Sequence, residues 1–133
     1  MSTITRLLFV VSLALFVASP AGAAETKGAL DGKTFAIDMT KKGDTKAEKD
    51  DLIFKDGKFR STGCDSYGFT EAAYTTAAGA DGATDFSSTA TSPKEGKMEW
   101  KGTVKGDAVE GTAVWTKEGQ PAESYSFKGA IKK

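Results

Sequence analysis

Cys64 is the only cysteine in this 133-residue sequence, and it lies in the run Ser61-Thr62-Gly63-Cys64-Asp65-Ser66-Tyr67-Gly68-Phe69. A nucleophilic thiolate needs an imidazole or a nearby cation to lower its pKa. The sequence has no histidine, and Arg60 is the nearest cation along the chain. Cys64 is therefore expected to act as a small buried hydrophobe. The alternative is a free thiol open to an intermolecular disulfide or to redox chemistry. A lone cysteine also excludes any disulfide within the chain.

The missing imidazole removes other chemistries too. No serine can be activated in a Ser-His-Asp manner, and a zinc site lacks its usual ligands. Asp44, Lys46, Glu48 and Asp50 alternate, but the lysine and the missing glycine at the sixth position do not fit a calcium-binding EF-hand loop. Two carboxylates could serve glycoside hydrolysis, yet nothing singles out a pair among 18 acidic residues. No glycine-rich phosphate loop is present. The expectation is a protein that is not an enzyme, with no catalytic residues, no metal and no cofactor.

What remains is an aromatic group near the C-terminus: Trp100, Trp115, Tyr125 and Phe127. At strand spacing such rings form either a core or the wall of a ligand site. Gly102, Gly111 and Gly129 accompany them. Glycine weakens a strand, so its presence there needs a reason. It permits tight curvature, a ring lying over bare backbone, or a groove that admits a ligand. These seven residues are the candidate ligand-binding set.

The elements that must position them read as strands. No stretch has the i, i+3, i+4, i+7 apolar pattern of a helix. Short alternating runs recur instead, bounded by glycine and small polar residues. Strands are expected at about 34–39, 50–55, 58–63, 70–76, 83–90, 97–105, 108–116 and 123–131, with residues 40–50 as a solvated loop and a turn at Asp81-Gly82. Asp56-Gly57 suits a type I′ hairpin turn, pairing Phe54 with Phe59. Gly106-Asp107 suits type II′ and pairs Val104 with Val109, Gly102 with Gly111, Trp100 with Ala113 and Met98 with Trp115. A one-residue slip would scatter these apolar residues over both faces. For the last strand, Trp115 opposite Tyr125 would set Ala113 against Phe127, Gly111 against Gly129 and Val109 against Ile131. Gly102, Gly111 and Gly129 would then form one row.

Eight short strands with brief connections predict an all-β, antiparallel up-and-down meander closed into a small barrel, with a two-sheet sandwich as the alternative. Residues 1–23 read as a secretory signal peptide. Arg6 precedes the apolar run Leu7–Ala18, and Ala21-Gly22-Ala23 fits the cleavage rule. Residues 24–133 then form a single domain, exported by a bacterium to the periplasm or the medium. No later segment is apolar enough for a membrane anchor, so the product is expected to be soluble. The chain has 18 basic and 18 acidic residues, and removing Arg6 leaves one negative charge in excess. That gives no electrostatic reason to bind nucleic acid.

Thr91–Gly96, followed by Trp100-Lys101-Gly102, Gly106-Asp107 and Gly111–Trp115, resembles small exported bacterial β proteins of uncharacterised role. The expected architecture is also similar to the calycin group, the lipocalins and avidins. Asp31-Gly32-Lys33-Thr34-Phe35 stands where a lipocalin opens on Gly-x-Trp, so no family ligand set carries over. Two functions are expected. One is a structural or protein-interaction module of the cell envelope with an as yet unidentified protein partner. The other is a carrier holding a small apolar or aromatic ligand inside the barrel.

Overall fold

The computed structural model describes residues 28–133; the signal-peptide reading of residues 1–23 lies outside them. Eight strands follow in order: β1 (Thr34–Lys41), β2 (Ala47–Lys55), β3 (Lys58–Ser61), β4 (Ala72–Ala78), β5 (Thr84–Ser92), β6 (Gly96–Lys105), β7 (Ala108–Thr116) and β8 (Glu123–Ile131). Each pairs antiparallel with the next, and β1 closes the ring by pairing with β8, from Phe35–Ile131 to Lys41–Tyr125. The expected all-β closed meander is the fold; the sandwich is not.

Turn chemistry fixes two registers. Asp56 and Gly57 both have positive φ (53° and 74°), as a type I′ turn demands, and Phe54 faces Phe59. Gly106 has φ 59°, and β6 meets β7 with Trp100 on Ala113, Met98 on Trp115 and Gly102 on Gly111. The β7–β8 register differs from expectation by two residues. Phe127 faces Gly111, Tyr125 faces Ala113, Glu123 faces Trp115, and Gly129 faces Val109. Volume explains the shift: bulky rings are set against the smallest partners instead of Trp115 against Tyr125. An even shift keeps every side chain on its expected face. Gly102 and Gly111 remain neighbours, but Gly129 leaves their row and pairs across to Ile37.

The polar stretch 40–50 is largely strand. β1 runs to Lys41 and β2 starts at Ala47, so only 42–46 is loop. The ladder to β1 holds these residues in strands where their polarity alone suggested a loop.

Inward alternation fills the barrel. Phe35, Leu52, Phe54, Phe59, Tyr74 and Trp100 are essentially without exposed surface. Phe54 meets Tyr74 and Phe86 edge-on at 4.9 and 5.0 Å, and Trp100 lies 5.2 Å from Phe59 and 5.5 Å from Phe127. Such pairs add about 0.5–1.5 kcal/mol each beyond burial.

One end of the barrel is sealed by the segment before β1. Leu30 is buried there, and its N–H donates to the Tyr74 hydroxyl (3.0 Å), which donates to Asp31 Oδ1 (2.7 Å). Asp31 also accepts the Gly57 N–H, tying the plug to the β2–β3 turn. Burial, then the Asp31 hydrogen bond, pushes the Tyr74 phenol up to about 12. The outer face carries charged and hydroxyl side chains, as in the row Thr75, Ser87, Lys101, Thr112, Ser126 and Thr40 across six strands. That is the inverse of an outer-membrane barrel, whose apolar band faces lipid. Among the described residues no helix is long and apolar enough to cross a membrane.

Candidate functional site at the open mouth of the barrel

The opposite end is open. The connections 42–46, 62–71, 93–95 and 117–122 ring it, and a cavity of about 480 Å³ opens between them. Its wall comes from the last inward positions of the strands. Met39 and Lys41 come from β1, Met98 from β6, Trp115 from β7, and Glu123 and Tyr125 from β8. Mouths of β-barrels are preferred small-molecule sites.

The segment 62–71 roofs one side of this cavity. Residues Thr62–Tyr67 form a 3-10 helix that no periodic pattern announced. Asp50 on β2 holds its start, accepting hydrogen bonds from the Ser61 hydroxyl, the Thr62 hydroxyl (3.0 Å) and the Gly63 N–H (2.7 Å). Gly68, at φ 83°, ends the helix, and Phe69 turns back into the core. Ser92 on β5 donates to the Tyr67 carbonyl (2.8 Å). The roof is thus clamped to the barrel wall on two sides.

Cys64 lies under this roof, half-buried and facing the cavity. Burial pushes its thiol up, and the carboxylates of Asp50 and Asp65 push the same way against a Ser61 hydrogen bond. Arg60, the cation nearest in sequence, is engaged by Asp65 through Nε at 3.0 Å. The shift is toward the protonated thiol, the opposite of the activation that nucleophilic catalysis needs.

The aromatic walls are fixed by polar contacts. The Trp115 indole N–H donates to the Glu95 carbonyl (2.6 Å). Gly96 makes that approach feasible: it has φ 89°, and a Cβ on it would lie 2.2 Å from the Thr116 carbonyl oxygen. Tyr125 donates to Glu123 Oε2 (2.9 Å), while Lys41 Nζ sits 2.7 Å from Glu123 Oε1. The Lys41 hydrogen bond, then that of Tyr125, holds the Glu123 carboxyl below the usual carboxylate range. Burial and the Glu123 contact push the Tyr125 phenol up to about 12.

The seven candidate ligand residues fall into separate places. Trp115 and Tyr125 line the mouth; Trp100 and Phe127 are packed inside, with 1% and 3% of their surface exposed. Gly102 and Gly111 carry rings over bare backbone. A Cβ would stand 2.6 Å from Phe86 Cε1 in the first case and 2.7 Å from Phe127 Cζ in the second. A groove of about 980 Å³ is lined by both glycines together with outward side chains such as Lys101, Thr112 and Ser126. At Gly129 a Cβ would strike the Ala36 carbonyl oxygen at 1.9 Å, so close β1–β8 approach accounts for that glycine.

Glu48 and Asp50 of the alternating acidic run line the mouth; Met39, Lys41, Met98 and Glu123 belong to it too but were not singled out from the sequence. Strand alternation carried to its ends would have found them. Among the described residues no three histidine, cysteine or acidic side chains converge as metal ligands would. Comparisons of the chain with protein-family models, with curated proteins and with solved structures give no match.

Proposed function

We propose that this chain is an exported, non-catalytic binding protein of the bacterial envelope that holds a small apolar or aromatic ligand in the open mouth of its barrel. The observation that carries this reading is the cavity of about 480 Å³ walled by Trp115, Tyr125, Met39 and Met98, at the end opposite the Leu30 plug. These four share the wall with charged side chains, among them Lys41, Glu48, Asp50 and Glu123, so the mouth joins an apolar, aromatic patch to placed charges. The packed rings beneath, from Trp100 to Phe35, make a rigid floor. The ligand therefore sits at the rim rather than in the interior.

A neutral apolar fluorophore such as N-phenylnaphthylamine, titrated into the protein, tests this. Saturable 1:1 enhancement that Trp115→Ala weakens would bear it out. No saturable signal from this or other neutral aromatic probes would remove it.

A second reading, a protein-interaction module, is favoured by the outer groove over Gly102 and Gly111, whose hydroxyl and charged rim suits a protein surface. Pull-down from envelope extract with protein carrying Thr112→Arg in that groove, against wild type, separates it from the first. A partner lost in the variant supports it; recovery of the same partner by both counts against it.

A further inference from the structure

We infer that the mouth selects organic cations: an ammonium group carried on an apolar or aromatic body. This rests on the reading of the mouth as a ligand site and names the class of ligand. Trp115 and Tyr125 present aromatic rings to the same cavity as two polarizable thioethers, Met39 and Met98. Rings attract a desolvated cation through their negative faces, and repel an anion by the same field.

The charges of the wall point the same way. Strand alternation aims Lys41, Glu48, Asp50 and Glu123 toward the mouth, one cation against three carboxylates. Lys41 is consumed by its ion pair with Glu123 (2.7 Å). Asp50 is hydrogen-bonded by neutral donors, which leave its charge in place. Glu48 makes no hydrogen bond or ion pair among the described residues. At the rim Asp44 and Lys46 carry opposite charges, Lys49 is drawn to Asp38 on the outer face (2.6 Å), and Glu95 pairs with Lys117 (3.6 Å). The cavity thus keeps a negative excess located at Glu48 and Asp50, beside the aromatic walls. A ligand ammonium would neutralise it, and a carboxylate or phosphate ligand would add to it.

Three probes test this by calorimetry: benzyltrimethylammonium, its neutral isostere neopentylbenzene, and an aryl anion, 4-phenylbutyrate. The cation is expected to bind at least about fivefold tighter than the neutral isostere, and the anion more weakly than either. Glu48→Gln, at an exposed position without a hydrogen bond, should reduce the cation's advantage over the neutral isostere about threefold. Neutral binding equal to or tighter than cation binding would overturn the inference while leaving the mouth a ligand site. Equal weakening of both probes by Glu48→Gln would also overturn it. Failure of all three probes to bind would remove the ligand site itself.

Discussion

The Phe127 ring occupies the space that a side chain on Gly111, its partner across the β7–β8 ladder, would need. A Cβ there would lie 2.7 Å from Phe127 Cζ and 2.2 Å from the Lys101 carbonyl oxygen. The second contact is with backbone, which cannot rotate away. Gly111→Val should therefore cost about 2 kcal/mol or more, measured as a lowered urea midpoint. Thr112→Val, one position along and on the outer face, should stay within about 0.5 kcal/mol of wild type. Equal effects at the two positions would contradict the inward placement of Gly111.

The Tyr74 hydroxyl is both acceptor for Leu30 N–H and donor to Asp31 at the sealed end. Tyr74→Phe leaves that amide without its partner and should cost about 1–3 kcal/mol. Hydrogen exchange at the Leu30 amide should rise with it. Unchanged exchange would mean that the plug does not depend on the phenol.

Tyr74 and Tyr125 share a pH signature. Each phenol is raised from about 10 to about 12, first by burial and then by a carboxylate neighbour. A folded pKa above the unfolded value contributes stability that is fully present below pH about 10 and lost as pH rises toward 12. Denaturant melts across that window should show falling stability. Tyrosinate absorbance of the native protein should show two groups titrating late. Flat stability through the window would contradict the settings of the two phenols.

Cys64 should alkylate slowly. A thiol raised by burial is mostly protonated at pH 8, so iodoacetamide should react well below the rate for free cysteine. Asp50→Ala removes the acceptor that pins the roof at Thr62 and Gly63, so it should accelerate the reaction and lower stability by about 2 kcal/mol. Reaction of wild type at the free-cysteine rate would contradict the roofed position.

Local rules made much of the barrel legible, and they failed where long-range contacts decide. Gly106-Asp107 and Asp56-Gly57 fix their hairpins because the turn conformation dictates which residues face each other. No such rule governs the connection 117–122, so the β7–β8 pairing was set by fitting Phe127 over Gly111, a relationship that spans two strands. Residues 48–50 are charged yet lie in β2, because pairing with β1 outweighs local polarity. The 3-10 helix over Thr62–Tyr67 depends on Asp50, a residue on another element. The aromatic candidates divide between core and mouth by depth along their strands. Alternation gives the face of a residue and not its depth, so Trp100 and Trp115 looked equivalent in sequence and are not.

That difference offers the most direct measurement. The two indole N–H signals in a nitrogen-correlated NMR spectrum can be followed while an aryl ammonium is added. With the ligand at the rim, the Trp115 signal should move saturably as the Trp100 signal stays in place. Movement of Trp100 with Trp115 unchanged would put the ligand in the interior and contradict the account.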